Sequence, residues 1–253
     1  MTEIEELGLL KMDFLGLRTL TVIRDAEAAI QKKDPSFSIQ KLDYDDAATY
    51  KMLGQGETEG VFQLESSGMK QVLVGLQPQN LEDVIALISL YRPGPMDSIP
   101  TYLRNRHEPD KISYKTPQLA HILDVTNGCI VYQEQVMQIF RELAGFSFGQ
   151  ADNVRRAMSK KKHAVMEAER EHFVHGCTEP GHECPGCVAN GISEKVANEI
   201  YDEMSSFASY AFNKSHAACY AYVAFQTAYL KCHYPSEFMA ALLTSVLDNT
   251  DKV

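Results

Sequence analysis

Between Asn153 and Ala164 the sequence reads NVRRAMSKKKHA, which sets five cations in eight residues with no carboxylate among them. Arg155 and Arg156 offer planar, permanently charged forks that match phosphate oxygens, and Lys160, Lys161 and Lys162 add compact charges further along. Positions 155, 156 and 160 stand at i, i+1 and i+5, so several of these cations share one half of a helix. Like charges packed this closely repel unless an anion offsets them. The segment therefore reads either as a solvated helix end or as a phosphate-binding face.

A second candidate lies near the start. From Leu9 to Leu15 the order LLKMDFL alternates, with Leu10, Met12 and Phe14 on one side and Lys11 and Asp13 on the other, the period of a half-buried strand. A carboxylate beside an ammonium on one strand face suits phosphoryl transfer, the first holding Mg2+ by oxygen and the second meeting phosphates. A solvated strand face has the same pattern.

The segment HFVHGCTEPGHECPGCVANG places Cys177, Cys184 and Cys187 close to His172, His175 and His182. The CPGC spacing of Cys184 and Cys187 is that of a zinc knuckle. Cys177 with His182, or alternatively His175, would complete a tetrahedral structural site. Inert packed thiols are the competing reading. Farther on, Phe212-Asn213-Lys214-Ser215-His216 precedes a long apolar stretch. Lys214 and His216 are candidate phosphate contacts at a helix N-terminus, against the plainer reading of Ser215 as a cap with two solvated neighbours.

The elements that must position these residues are mostly helical. Arg18 to Ile30 reads as a helix marked by Leu20, Ile23, Glu27 and Ile30; Leu81 to Tyr91 reads as another, stopped by Arg92-Pro93-Gly94-Pro95. Asn127-Gly128 makes a turn, CIVY a short extended piece, and Val136, Ile139, Phe140 and Leu143 a helical stripe. Ser193 can cap a helix carrying Val196, Ile200, Met204 and Phe207. A helix from about Ala217 to Tyr234 is apolar almost all round, and Ser236 can cap a last one through Leu247. The stretch between Asp34 and Leu81 reads as loops and short helices.

Composition narrows the class. The chain has 253 residues, 45% of them hydrophobic, and a formal net charge of -10, so it is an ordinary globular protein with an acidic surface. Glu3, Glu5 and Glu6 stand where a secretory signal would be basic and then apolar, and the longest apolar run is too short to span a bilayer. These features point to the cytoplasm, with no membrane, and six cysteines there are not a disulfide framework. Acidity argues against a general nucleic-acid coat, although a locally basic groove can still take phosphates.

Taken together, LLKMDFLGLRTLT, GVFQLESSGMK, LYRPGPM, VYQEQVMQI, RRAMSKKK, FNKSHAACYA and YLKCHYPSEFMAALLT resemble the alpha subunit of bacterial DNA polymerase III, the replicative C-family polymerase. The resemblance runs from about Leu7 to the last residue. It implies a mainly α fold with a small β contribution: residues 1–30 end a nucleotidyltransferase-like palm, and residues 31–253 form helical fingers with a Cys/His loop at 172–187. It implies a DNA-directed DNA polymerase that adds deoxynucleotides to a primer 3'-end. Primer-template DNA and deoxynucleoside triphosphates are then its substrates, and a sliding clamp and other replicase subunits bind through parts of the family's chain that this sequence lacks.

In that family three aspartates hold two Mg2+ ions. Asp13 matches the third, and the first two have no counterpart here, so the resemblance implies that the isolated chain does not polymerise DNA. Lys11, Arg155, Arg156 and His216 match positions resembling the family's triphosphate contacts, with Lys160, Lys161, Lys162 and Lys214 as candidate phosphate or DNA contacts. The Cys177 to Cys187 loop looks like an insertion relative to the commonest members. Its zinc is an expectation from spacing and not from the family. The alternative function is a zinc-stabilised helical module that binds nucleic acid or protein without catalysis.

Overall fold

The computed structural model describes residues 7–9, 12, 16–159, 163–208 and 210–247. The alternating stretch that carries Lys11 and Asp13, and the three lysines at 160, 161 and 162, lie outside the described residues. The described chain is mainly helical, as its 3.6-residue apolar periodicity predicts. Among the described residues, extended pairing is confined to two isolated bridges, a parallel one between Tyr132 and Phe212 and an antiparallel one between Cys177 and Cys184.

The chain divides into two compact units, one of residues 1–42 with 226–253 and one of residues 43–225. In the first, helix α1 (Arg18–Gln31) packs on a helix near the C-terminus, Pro235–Thr244. The buried stripe of α1 is Val22, Ile23, Ala26 and Ile30. Leu20, expected on that stripe, is exposed, because it sits a quarter-turn away from the Ile23–Ile30 line. The C-terminal helix begins at Pro235, whose missing N–H is no loss at a first helical position, and Ser236 does not cap it. Lys33 and Glu237 form an ion pair of 2.7 Å between the two segments, which holds the Glu237 carboxyl below its ordinary range.

The second unit is a helical assembly. Its early part contains α2 (Ala47–Gly54), α3 (Ser67–Leu76), α4 (Leu81–Leu90) and α5 (Ile99–His107). Side chains cap three of these by accepting from backbone N–H groups: Asp46 from Thr49, Ser66 from Met69 and Asn80 from Asp83. Buried Asp83 accepts from the Gln79 backbone N–H and from Arg106, which ties α4 to α5 through a paired charge.

After a short α6 (Ala120–Leu123), the chain turns at Asn127 and Gly128, both at positive φ, and enters α7 (Gln133–Ala144). Gln135 is buried yet fully used. Its amide oxygen accepts from the N–H groups of Val131 and Tyr132, and its nitrogen donates to the Ile122 carbonyl and to Thr126. That one side chain fixes how α7 is entered. The predicted stripe of Val136, Ile139, Phe140 and Leu143 is wholly buried.

α8 (Phe148–Ser159), α9 (His163–His175), the single turn α10 (Gly186–Ala189) and α11 (Glu194–Ala208) enclose a core with α7. Phe140, Phe173 and Tyr201 meet there edge to face or tilted, with centroids 5.1 to 6.0 Å apart. Ser147 and Gln150 start α8 with a reciprocal capping box, in which Ser147 Oγ accepts from the Gln150 N–H and Gln150 Oε1 accepts from the Ser147 N–H. α12 (Lys214–His233) begins three residues before the predicted start, and Asn213 caps it by accepting from the His216 N–H, so Ser215 is not the cap. α13 is the Pro235–Thr244 helix already described.

Candidate anion and nucleotide site

α7 and α8 lie antiparallel, and two contacts define their register. At one end Gln133 Oε1 accepts from Arg155 Nη1 at 3.2 Å; at the other the Arg141 guanidinium lies over the Phe148 ring, 5.9 Å from its centroid. Between these ends the helices leave a groove of about 500 Å³, which also has Glu134, Met137, Gln138, Asp152 and Asn213 along it. Phe148, Asp152 and Arg155 stand at i, i+4 and i+7, and so look into it from one face of α8.

The arginine pair is organised by one carboxylate. Asp152 Oδ1 accepts from Arg155 Nε at 3.0 Å and Nη2 at 2.7 Å, while Asp152 Oδ2 accepts from Arg156 Nε at 2.7 Å. These hydrogen bonds, the Arg155 one foremost, hold the Asp152 carboxyl below the usual carboxylate range. The two arginines then differ. The Arg155 side chain is 16% exposed and engaged on three of its nitrogens, whereas that of Arg156 is 66% exposed, with only Nε engaged among the described residues. Arg155 is thus a packed holder, and Arg156 presents its two terminal amino groups to solvent.

Gln133 carries the connection to the second basic segment. Its backbone N–H donates to the Phe212 carbonyl and its side-chain amide to the Ala211 carbonyl, both at 2.9 Å, so the chain leading into α12 is fastened beside Arg155. Asn213 consequently lines the same groove. Glu134 accepts from the Lys214 backbone N–H and from the Asn213 side chain, which puts a carboxylate on the free amides at the start of α12. Arg92, from the LYRPGPM segment, braces this region with its guanidinium 4.3 Å from the centre of the Phe212 ring.

The predicted contacts are only partly gathered. Arg155 and Arg156 share Asp152, and Arg155 shares the groove with Asn213. Lys214 is drawn elsewhere: its Nζ pairs with Glu82 at 3.0 Å, lies over the Tyr132 ring, and faces an adjoining cavity of about 370 Å³. His216 is exposed and stacks between Phe212 and Tyr220, with centroids 5.4 and 4.6 Å away. Asp152, Gln133, Glu134 and Phe148 were missed from the sequence. The signal for Asp152 was present, since an aspartate three and four residues before two arginines is an ion-pair spacing on a helix. It lies three residues before the basic run begins at Arg155.

The cysteine loop departs from the expected zinc site. Cys177 and Cys184 exchange two backbone hydrogen bonds of 2.9 Å as an antiparallel pair, and Cys187 is fully buried in the core. Burial pushes the Cys184 thiol up and the Cys187 thiol up to about 12. His182 is exposed on the turn between them, and His175 is directed to Glu171 and Glu194. Among the described residues no three His, Cys, Asp or Glu side chains come together to hold a metal ion. The set Cys177, His182, Cys184 and Cys187, with His175 as alternative, is therefore not assembled. The physical reason is that apolar packing claims two thiols and the backbone pairs the loop without them.

Comparison with known proteins settles the family. The model of the bacterial DNA polymerase III alpha subunit finger domain matches residues 19–181. The chain belongs to this family. It is 49% identical over 259 residues to DNA polymerase III subunit alpha of Thermus aquaticus, 47% over 254 to that of Bacillus subtilis (strain 168), and 45% over 253 to that of Staphylococcus aureus (strain COL). Each alignment covers the whole of this chain but only 20%, 22% and 23% of the respective relative, so the finger-domain chain spans about a fifth of their length. Among the described residues no helix is long and apolar enough to cross a membrane.

Proposed function

We propose that this finger-domain chain supplies the phosphate-gripping part of a DNA-directed DNA polymerase, with deoxynucleoside triphosphates and primer-template DNA as the ligands it meets. The observation that carries this reading is the Asp152 clasp: one carboxylate aligns two guanidiniums and leaves the amino groups of Arg156 exposed. A planar fork with free N–H groups, held by a packed neighbour, is preorganised for phosphate oxygens. Arg155 is then the positioning residue and Arg156 the contact. His216, exposed at the start of α12, is assigned as a further triphosphate contact.

Lys11 and the lysines at 160, 161 and 162 are assigned to phosphates or strand backbone from the resemblance. Asp13 is assigned in the same way as one carboxylate of a Mg2+ site. Mg2+, when bound, would neutralise phosphate charge during transfer. With a single ligand of that kind, the chain alone is expected to bind and not to polymerise.

The test is steady-state kinetics of Arg156→Ala in a polypeptide of the relatives' full length that contains this chain. Loss of a charge-assisted contact to a transferring phosphoryl group should lower kcat/KM for nucleotide by roughly 10²- to 10³-fold. Unchanged constants would reject the assignment.

A further inference from the structure

The α7–α8 groove has a second end that the phosphate reading does not use. Phe148 is 65% exposed and stands at the groove's mouth, seven residues before Arg155 on the same face, which is about 10 Å along the helix axis. A single exposed aromatic is ordinary on a protein surface. This one is not isolated, because Arg141 lies over its ring and Met137 lies on the facing helix in the same groove.

Charge decides what such a groove suits. Its carboxylates are already engaged: Asp152 by both arginines, Glu134 by the Lys214 N–H and Asn213, and Glu142 by His121 and Gln138. With Arg141 and Arg155 set against three carboxylates, the interior is near neutral and slightly negative, which opposes a polyphosphate lying in it. A flat, uncharged ring meets no such opposition. A volume of about 500 Å³ lies in the range of small-molecule sites.

We propose that the α7–α8 groove is a nucleobase subsite in which Phe148 is the stacking surface, while phosphates attached to that base meet Arg156, which is tethered beside the groove by the groove-lining Asp152. This rests on the phosphate-gripping reading and adds the ligand's second half. The base belongs either to a free nucleotide or to a nucleotide within a strand; the chemistry is shared, and the test separates the two.

The experiment uses the 253-residue chain with three probes: the 2-aminopurine deoxynucleoside triphosphate, inorganic tripolyphosphate, and a single-stranded oligonucleotide carrying 2-aminopurine or an abasic site at one position. Phe148→Ala should weaken binding of a base-bearing probe about ten-fold, the loss of one base–aromatic stack, and relieve the quenching of its fluorescence. Phe148→Tyr should restore both, and tripolyphosphate binding should not change. Loss confined to the free triphosphate assigns the subsite to the free nucleotide. Loss confined to the 2-aminopurine strand, with the abasic strand unaffected, assigns it to a strand base. If Phe148→Ala binds every base-bearing probe as tightly as wild type while tripolyphosphate still binds, the base subsite is overturned and the phosphate reading stands. If wild type binds neither tripolyphosphate nor the base-bearing probes, both are overturned.

Discussion

Two guanidiniums on adjacent residues of one helix repel each other, and in this chain a single carboxylate one turn earlier offsets that repulsion while aiming both forks. Because hydrogen bonds from Arg155 and charge from both arginines favour the ionised form, Asp152 has a folded pKa below its unfolded one. Its contribution to stability is therefore complete above the unfolded value of about 4 and disappears as pH falls through the depressed folded value. Asp152→Asn should lower the melting temperature at neutral pH by the equivalent of about 1 kcal/mol, since Asp152 is mostly covered but Arg156 is not. The gap should close well below the carboxylate range, as followed by circular dichroism; a gap independent of pH would contradict the clasp. At this scale the sequence was half legible. The arginines were visible as phosphate ligands by type, whereas their division into holder and presenter depends on Gln133, twenty-two residues away, and no local pattern signals that contact.

The elements show which kinds of information are local. α7 was readable from four apolar residues, and α4 from its stripe and its proline stop, because helical burial repeats every three to four residues. The start of α12 was misread because its apolar run begins later than its hydrogen bonding, which Asn213 initiates. The cysteine loop is ambiguous in the sequence because CxxC spacing is shared by metal knuckles and by packed turns, and among the described residues its side chains do not come together around a metal position. Gly186 is central to that loop: at φ 77° a Cβ there would lie 2.3 Å from the Gly176 backbone nitrogen. Gly186→Ala should thus combine strain of about 1–3 kcal/mol with a backbone clash and lower the melting temperature by several degrees. Gly181→Ala, at φ 85° with nothing within 4 Å of its Cβ, should cost only the strain. Equal losses in calorimetry would mean that the close approach of the two backbone segments does not hold.

For the molecule as a whole, a net charge of -10 is compatible with the proposed local phosphate contact because charge acts over about a Debye length, roughly 8 Å at physiological salt. Global acidity limits indiscriminate adhesion to nucleic acid, while the proposed grip at Arg156 acts only over a short range. The helical class and the family were legible in the order of the motifs. The groove was not, because it exists only once α7 and α8 are antiparallel in one register. The most direct test of the phosphate grip is fluorescence anisotropy of a labelled primer-template across a salt series, with and without matching nucleotide, for the wild-type chain and Arg156→Ala. Binding should weaken with salt, and the substitution should weaken it further and make the log–log salt slope shallower by about one. Wild type and variant binding with the same affinity and the same slope would contradict the account.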